Sequence, residues 1–383
     1  MSHARILFLE SLATISGGQA VLVNMVKALQ GPYDLVALLP GEGPLTQALR
    51  LSNVRCYSAP LGSYTLVRKT PRDVLYYGAR LPWLTLRVWQ IIHREKIDLV
   101  YANSGRTFAW GTLAATLAGR PILWHHHNLL ADAKSLILLR LIGRLPAVRR
   151  ILCGSEEARR QFPTLVQKAV VMHTGVDTQR FRPDLALGLS IRQELGIAPE
   201  SRMVGIVGDL IPLKGQSTFI EAASIVHRQL PEARFGIVGQ ARPTAESRTY
   251  AAQLRQRAAG LPIDFVGYRA DMPAVLNAFD ALVIASTTET GPLVLLEALS
   301  CGTPVLSTPV GRAPELLSDG ACGELFAIDN ANGLAQKLIA LLADRDRQRL
   351  MGHAARQRAL EQLSLDIFGT RILTEVTTAL SNG

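Results

Sequence analysis

The strongest constraint on the fold of this chain is the alternation of short β-rich runs with stretches of helical periodicity. The first series of apolar runs lies at residues 6–9, 35–39, 98–101, 121–124, 150–153 and 170–172. Short apolar strands that alternate with helices indicate parallel sheets covered by helices. In the first helical pattern, apolar residues fall at i, i+3, i+4 and i+7, namely at Leu22, Met25, Val26 and Leu29. We expect this face to pack on the sheet.

A break in the alternation divides the chain into two domains. Its 383 residues exceed one ordinary core and suit two domains of roughly 150 to 200 residues. Residues 173–188 mix turn formers and charges without periodicity, and a second series of runs follows at 203–208, 234–239, 263–267, 281–285 and 303–307. We predict two doubly wound, Rossmann-like α/β domains that face each other across a cleft, at 1–175 and 191–363. Residues 176–190 are expected to be a linker, and 364–383 a C-terminal helix that crosses back to the first domain.

Several classes of protein are disfavoured by missing patterns. The N-terminus does not resemble a signal peptide and no run of 18 apolar residues occurs, which predicts a cytoplasmic protein, or one peripheral on the inner face of the membrane. No GxGxxG follows the first strand and no GxxxxGK[ST] occurs, which disfavours nicotinamide, flavin and P-loop enzymes. The only Asp-x-Asp, at 344–346, lies in a helical segment, so a metal-bridged diphosphate is not indicated. The cysteines lack metal-site spacing and are expected to be small buried hydrophobes, at Cys56, Cys153, Cys301 and Cys322.

The most informative motif is the segment STTETGPLVLLEALSCGTPVLSTPVG at residues 286–311. It follows a predicted strand, places Glu289 in a loop and starts a helix near Pro292, a good first helical residue because it lacks an amide hydrogen. Glu297 lies one to two turns into that helix. Two carboxylates accept hydrogen bonds from several hydroxyls, as a sugar and a ribose require, and the helix N-terminus offers amides to phosphate. The alternative is that Glu297 is a solvated helix residue.

This segment resembles the signature of the retaining glycosyltransferases of family four, which have the GT-B fold. That signature has two glutamates separated by seven residues, then Ala, a small residue, Gly and Pro-Val, as at 289–305 here. The similarity continues at Gly17-Gly18, at His127-Asn128, at 175–181 and at 208–216. The resemblance implies a hexosyltransferase that uses a nucleoside-diphosphate sugar. Because no Asp-x-Asp follows a strand and no metal cluster occurs in the sequence, we expect neither a cofactor nor a metal.

The resemblance also implies a role for three side chains. Glu289 would contact hydroxyls of the transferred sugar, Glu297 would contact the ribose of the nucleotide, and Lys214 would hold the diphosphate. The sequence supports Lys214 independently, because a lysine beside Gly215 at a helix start after a strand places a point charge on a phosphate. The alternative for Lys214 is an ordinary surface lysine.

Two departures from the family pattern affect the donor site. Asp209 stands where the family usually has an arginine, so either the diphosphate is held more weakly or another arginine substitutes. The residues after the first glutamate read Thr290–Gly291–Pro292 instead of small–aromatic–glycine. Because Pro292 has no amide hydrogen, the amides that meet the donor are expected to be those of Gly291 or Leu293.

The first domain contributes a glycine pair and a histidine. Gly17 and Gly18 lie where the first strand's loop meets a helix, which allows a close backbone approach to a phosphate or sugar, or marks an ordinary tight turn. Strand alternation places His125 and His127 on one face, but no third ligand accompanies them, so a metal site is not expected. The resemblance implies that His127, followed by Asn128, hydrogen-bonds near the reacting carbon rather than acting as a lone general base.

Basic residues concentrate in the first part of the chain. Residues 1–150 contain 18 Lys+Arg and 7 Asp+Glu, whereas residues 151–383 contain 23 and 24. Within 64–96, Arg80, Arg87 and Arg94 recur at every seventh position beside Trp83, so they share a helix stripe. Basic and aromatic residues together favour an anionic membrane surface and a lipid-linked or cell-surface glycan acceptor. A soluble acceptor or a solvated basic surface are the alternatives, and no nucleic-acid motif is present.

Two other functions fit the same fold. An epimerase or hydrolase acting on sugar nucleotides would need no acceptor. A non-catalytic module that binds a sugar nucleotide or a membrane would explain the residues Asp209 and Pro292 as signs of a lost active site. The sequence favours the glycosyltransferase.

Overall fold

The computed structural model describes residues 3–60, 71–127, 129–130 and 132–381, with only the backbone at 71–75. The chain forms two compact units: unit 1 comprises Met1–Thr174 and Leu365–Gly383, and unit 2 comprises Gly175–Ser364. Asn128 and the part of the basic segment at 61–70 lie outside the described residues.

Unit 1 is built on a seven-stranded parallel sheet. Its strands are β1 Arg5–Leu9, β2 Asp34–Leu39, β3 Arg55–Ser58, β4 Leu99–Ala102, β5 Ile122–His126, β6 Val148–Cys153 and β7 Ala169–Val171. Its connecting helices are α1 Gly17–Leu29, α2 Pro44–Leu51, α3 Pro71–Arg94, α4 Gly105–Leu117, α5 Ala133–Ile142 and α6 Glu156–Arg160, with a 3-10 turn at Pro163–Leu165. The strand order β3-β2-β1-β4-β5-β6-β7 reverses between β1 and β4, which defines a doubly wound fold.

Unit 2 repeats this plan on a six-stranded parallel sheet. Its helices are α7 Leu185–Glu194, α8 Gln216–Gln229, α9 Ala245–Arg257, α10 Met272–Ala278, α11 Leu293–Cys301, α12 Ala313–Leu317, α13 Ala331–Ala343 and α14 Arg345–Gln362, with a 3-10 turn at Pro212–Lys214. Its strands are β8 Met203–Val207, β9 Arg234–Val238, β10 Ile263–Gly267, β11 Ala281–Ile284, β12 Val305–Ser307 and β13 Gly323–Leu325. The strand order β10-β9-β8-β11-β12-β13 reverses between β8 and β11. The predicted pair of doubly wound α/β domains is confirmed.

The central strands are apolar throughout because helices cover both faces of each sheet. All five residues of β5 are buried, and Phe8 and Tyr101 are fully buried on the two strands at the reversal of unit 1. The predicted apolar face of α1 is also fully buried, at Leu22, Met25, Val26 and Leu29. Within the described residues, no helix combines the length and the apolar character needed to cross a membrane.

The last helix, α15 Leu365–Ser381, packs in unit 1 rather than in the unit that precedes it in the chain. Ile372 and Val376 are fully buried, and α15 packs on α1. Arg150 Nε lies 3.0 Å from Glu375 Oε2, which adds an ion pair between β6 and α15. Unit 1 is therefore completed by residues that follow unit 2 in sequence.

The structure differs from the sequence prediction at the linker. Residues 185–190 of the predicted linker form the start of α7. The Asp184 side chain accepts a hydrogen bond from the backbone N of Leu187, which caps this helix, and α7 packs on α10. The sequence of α7 lacks a clear apolar helical periodicity because its buried positions include a glycine and an arginine, Gly188 and Arg192.

Two edge strands were not predicted. β3 has four residues and a polar composition, and β13 has only three residues. A strand that pairs on one side only needs no continuous apolar run, so periodicity does not reveal it.

Candidate functional site

Lys214, Arg242 and Glu289 lie in the segments after β8, β9 and β11, and Glu297 lies on the helix that follows β11. These strands are neighbours in the sheet, and β8 and β11 flank the point where the strand order reverses. Ligands of open parallel sheets bind outside the carboxyl ends of the strands at such a point. Gly215 joins two of the loops: its φ is +69°, and a Cβ there would lie 2.0 Å from the carbonyl oxygen of Ala285. Only glycine fits this approach.

Lys214 and Glu289, predicted to hold the diphosphate and the sugar, form an ion pair with each other. Lys214 Nζ donates to Glu289 Oε1, and Ser286 Oγ donates to the same oxygen at 3.3 Å. The backbone N of Thr287 donates to Leu213 O at 3.0 Å, so the loops after β8 and β11 are also held together by their backbones. Both side chains of the ion pair are mostly buried. The pair therefore presents one ammonium and one carboxylate at the reversal of the sheet.

The helix after Glu289 begins one residue later than predicted. Pro292 is the N-cap, with φ −64° and ψ 117°, and Leu293 is the first residue of α11. An extended ψ at Pro292 ends the loop and leaves the amide of Leu293 at the start of the helix, where no intrahelical acceptor exists. Gly291 lies against the loop after β12, since a Cβ on Gly311 would be 3.0 Å from Gly291 N. The two predicted amides, of Gly291 and Leu293, thus lie on either side of Pro292.

Asp209, which replaces the expected arginine, binds an arginine from the neighbouring strand end. Arg242 Nε donates to Asp209 Oδ2 at 2.7 Å, and both side chains are about half exposed. The Arg242 backbone N donates to Ser247 Oγ at 2.8 Å, and Ser247 Oγ donates to Leu210 O at 2.7 Å. The loop after β9 therefore carries a guanidinium to the loop after β8. Sequence reasoning did not identify Arg242, although its position in the loop after a predicted strand was a usable signal.

Glu297 is half-buried on α11 among apolar neighbours, not a solvated helix residue. Burial raises the pKa of Glu297 to about 7, and the nearby positive charge of Arg180 offsets part of this rise. At neutral pH the carboxyl therefore exists in both protonation states. Its ionised form can accept hydrogen bonds from both hydroxyls of a diol.

The predicted residues of unit 1 also meet at a strand-end edge. Gly17 and Gly18 begin α1, and a Cβ on Gly18 would lie 3.2 Å from Cδ2 of His127. The rings of His125 and His127 lie 3.9 Å apart, as the predicted common strand face requires. Burial, followed by the neighbouring His126, lowers the pKa of His127 to about 3. His127 is therefore a neutral imidazole at physiological pH.

Two residues that sequence reasoning missed hold His127 in place. His127 Nε2 lies 3.0 Å from Asn103 Oδ1, and Asn103 Nδ2 donates to Glu10 Oε2 at 2.7 Å. Glu10 follows β1, Asn103 follows β4 and His127 follows β5, and these strands are neighbours. Glu10 and Asn103 are both buried. A carboxylate that directly follows an apolar strand was the available signal for Glu10.

The predicted basic stripe on α3 is accompanied by exposed apolar side chains. Arg80 donates to Pro60 O at 2.6 Å and lies over the ring of Tyr76, while Arg94 lies over the ring of Tyr57. Large apolar side chains of the helix face solvent, at Tyr76, Trp83, Leu86 and Trp89. On α5, which lies beyond α4 on the same side of the sheet, further apolar residues are exposed, at Ile137, Leu138 and Leu141.

Two family models match most of the chain. Glycosyltransferase Family 4 matches residues 15–180, and Glycosyl transferases group 1 matches residues 189–358. The chain therefore belongs to the group 1 glycosyltransferases of family four, as its sequence motifs predicted. It is a glycosyltransferase with the GT-B fold.

Individual relatives cover nearly the whole chain at moderate identity. The UDP-Gal:alpha-D-GlcNAc-diphosphoundecaprenol alpha-1,3-galactosyltransferase of Escherichia coli is 25% identical over 361 residues, which cover 90% of this chain and 89% of the relative. The alpha-maltose-1-phosphate synthase of Mycolicibacterium smegmatis is 26% identical over 340 residues, covering 82% and 87%. These proteins differ in the sugars and acceptors that their names specify.

Solved structures share the fold. Anabaena HepE in complex with UDP superposes with a TM-score of 0.85 at 23% identity, covering 98% of this chain and 100% of HepE. Sucrose-phosphate synthase from Thermosynechococcus elongatus gives a TM-score of 0.79 at 18% identity, with both chains fully covered.

The raised pKa of Glu297 predicts a pH-dependent stability. A glutamate titrates near 4.5 when unfolded and Glu297 near 7 when folded, so the folded state binds the extra proton between these values. The stability contributed by the neutral carboxyl is complete below pH 4.5 and is lost as the pH rises through 7, by about 3 kcal/mol. Glu297→Gln has no proton to lose, so its melting temperature should exceed that of the wild type by an amount that grows from pH 5 to about pH 7 and then levels off up to pH 8.5.

The measurement is calorimetric unfolding across this pH range. Glu361→Gln, which changes an exposed carboxyl on α14, serves as the control and should follow the wild type at every pH. If the melting temperatures of Glu297→Gln and of the wild type change with pH in parallel, burial does not shift the pKa of Glu297.

Proposed function

We propose that this enzyme transfers a hexose, with retention of configuration and without a metal, from a nucleoside-diphosphate sugar to a lipid-linked acceptor. The observation that carries the proposal is the Lys214–Glu289 pair at the reversal of the second sheet. The pair combines a cation that can bind a diphosphate with a carboxylate that can bind sugar hydroxyls. A nucleoside-diphosphate sugar carries these two groups next to each other.

The charges of unit 2 match those of the donor. Lys214 and Arg242 place two cations at the ends of β8 and β9, while Glu297 lies on the helix that starts after β11. We propose that the cations bind the diphosphate and that Glu297 binds the ribose. UDP-sugars are the first donors to test, because HepE structures contain UDP and UDP-glucose and the E. coli relative is named for UDP-Gal. Arg242 would supply the positive charge that is missing because position 209 is an aspartate instead of an arginine. This argues against the alternative of a lost active site.

The chemistry assigned to His127 follows from its low pKa. An imidazole with a pKa of about 3 is a weak base at neutral pH, so it contributes little as a proton acceptor. We propose that His127 hydrogen-bonds to the transferred sugar and that the departing diphosphate accepts the proton of the acceptor hydroxyl. Attack would then occur on the face from which the diphosphate leaves, which retains the configuration at the anomeric carbon. Lys214 stabilises the charge that develops on the leaving group.

The acceptor is assigned from the surface of unit 1 and from a relative. The exposed aromatic face of α3 carries Trp83 and Trp89, with Arg87 alongside, and α5 exposes aliphatic residues on the same side of the sheet. Aromatic and basic residues together bind the headgroup region of anionic bilayers. The E. coli relative is named for a diphosphoundecaprenol acceptor. We propose that unit 1 lies peripherally on an anionic membrane, on its cytoplasmic side.

Substitutions in the ion pair test the donor site. Lys214→Ala and Glu289→Gln should each lower the rate of transfer about ten- to a hundredfold, since each removes a charged hydrogen-bonding partner worth roughly 1.5–3 kcal/mol. Initial rates with UDP-sugars provide the measurement. Lys337→Ala, which breaks a different Lys–Glu pair of unit 2, should keep the wild-type rate. Near-wild-type rates in both site variants would place the donor elsewhere.

A second test removes the guanidinium at position 242 and places one at position 209. Arg242→Gln should weaken UDP binding about tenfold, as expected for loss of one partly solvated charge-assisted contact. Adding Asp209→Arg to that variant should restore affinity, because it returns a guanidinium to the neighbouring strand end. Arg255→Gln, at an exposed position on α9, is the control, and calorimetric titration with UDP is the assay. An unchanged affinity in Arg242→Gln would show that Arg242 only binds Asp209.

Metal independence is tested with a chelator. Because Lys214 and Arg242 supply the positive charge at the strand ends, transfer should proceed at the same rate in excess EDTA. A loss of activity that magnesium restores would contradict the proposal. The same assay without acceptor distinguishes a transferase from a hydrolase or epimerase, which would consume the donor alone.

Membrane binding is tested with vesicles. Changing Arg80, Arg87 and Arg94 together to Gln should reduce binding to anionic vesicles about a hundredfold at low salt, at about 1 kcal/mol for each charge near the surface. Affinity for UDP should not change. The matched control removes three exposed arginines of unit 2, namely Arg228, Arg257 and Arg349. Co-sedimentation across a salt series is the measurement, and equal binding of both triple variants would show that the stripe is only a solvated surface.

A further inference from the structure

Lys214 and Glu289 serve different parts of the proposed donor, yet in this structure they bind each other. Lys214 Nζ donates to Glu289 Oε1, and Ser286 Oγ donates to the same oxygen at 3.3 Å. Within the part of the chain that the structure describes, the Lys214 ammonium has no other hydrogen bond or ion pair. A phosphate that binds Lys214 therefore competes with Glu289 for this ammonium.

The backbone keeps the two side chains together. The backbone N of Thr287 donates to Leu213 O at 3.0 Å, one residue before Lys214. Gly215, one residue after Lys214, lies so close to Ala285 O that a Cβ would be 2.0 Å away. The loops after β8 and β11 are thus fixed to each other on both sides of the lysine. A ligand that draws the ammonium away leaves the carboxylate of the pair where it is.

Glu289 is in an unfavourable position once Lys214 binds another anion. The side chains of Lys214 and Glu289 are only 26% and 18% exposed, so water replaces little of a lost partner. A partly buried carboxylate without its cation is costly, and a neighbouring diphosphate adds further negative charge. Sugar hydroxyls reduce this cost, because they donate hydrogen bonds to a carboxylate.

A nucleoside-diphosphate sugar and the bare nucleoside diphosphate differ in this respect. Both offer phosphate oxygens to Lys214. Only the complete donor also offers the hydroxyls of the transferred sugar to Glu289. Competition for Lys214 therefore weakens binding of the nucleoside diphosphate more than binding of the complete donor.

We propose that Glu289 is a specificity-determining residue that selects the complete donor over the nucleoside diphosphate product by competing for Lys214. This inference rests on the proposed function. After transfer the sugar leaves with the acceptor, Glu289 regains Lys214, and the product is held less tightly than the substrate. Such specificity is a difference between two affinities, and here it comes from an unfavourable contribution to binding of the wrong ligand.

The experiment compares the affinities of Glu289→Gln for UDP and for a UDP-sugar. Glutamine keeps the shape of the side chain but releases the ammonium of Lys214. Affinity for UDP should therefore rise about five- to tenfold, between the values expected for an exposed and a buried ion pair. Affinity for the UDP-sugar should instead fall about tenfold, because its hydroxyls lose a charged acceptor. Calorimetric titration without acceptor measures both, with UDP and with whichever of UDP-glucose and UDP-galactose the wild type transfers.

Two further variants show whether the effect acts through Lys214. In Lys214→Ala/Glu289→Gln, affinity for UDP should match that of Lys214→Ala, since no ammonium remains to be released. Glu324→Gln changes a second Lys–Glu pair of unit 2, formed with Lys337. It should leave both affinities at the wild-type values.

The outcomes separate the two proposals. A UDP affinity that is unchanged or lower in a folded Glu289→Gln protein with a reduced transfer rate overturns the inference alone. An equal rise in affinity for the UDP-sugar also overturns it. So does a rise in UDP affinity of the same size in the Lys214→Ala background, because Glu289 would then repel phosphate directly. Failure of the wild-type chain to bind UDP or transfer a sugar would instead overturn the proposed function.

Discussion

Every strand in the two sheets runs parallel to its neighbours, and the placement of all candidate residues depends on this constraint. Each connection has to return along a helix to the start of the next strand, so every loop that follows a strand emerges at the same edge of its sheet. Where the strand order reverses, the helices on either side diverge and the loops are not covered. Lys214 and Glu289 follow the two strands at this reversal in unit 2. Glu10 and Asn103 follow the corresponding strands in unit 1.

The polar groups at these edges are held by opposite charges or complementary hydrogen bonds rather than left isolated. Lys214 pairs with Glu289, Arg242 pairs with Asp209, and Glu10 binds Asn103. Isolated charges at partly buried positions are costly, so pairing stabilises them there and also fixes their geometry. A substrate that carries both phosphates and hydroxyls offers each partner of the Lys214–Glu289 pair a group of its own.

The departures from the family pattern become intelligible once neighbouring strand ends are compared. An acid at position 209 removes a cation from the loop after β8, but it also binds a cation from the loop after β9. Pro292 removes one amide hydrogen, but it ends the loop so that α11 starts directly afterwards, with its first amide at Leu293. In both cases a residue that is adjacent in the fold or in the chain carries the group that the changed residue lacks.

The sequence by itself determined the fold class, the family and the position of nearly every central strand, because these depend on local apolar runs and on a short contiguous motif. Through the family resemblance it also predicted that Lys214, Glu289 and Glu297 bind the donor, and these roles stay predictions. It did not reveal β3 and β13, whose edge positions require little apolar surface, or α7, whose cap and packing partner lie outside any periodic pattern.

Only the tertiary structure decided which polar residues meet. Arg242 and Asp209 are 33 residues apart, and Asn103 and Glu10 are 93 residues apart. No periodicity links such positions, since their contact depends on which strands become neighbours in the sheet. The protonation of Glu297 and His127 was likewise beyond the sequence, because the pKa of each group depends on how completely other parts of the chain exclude water from it.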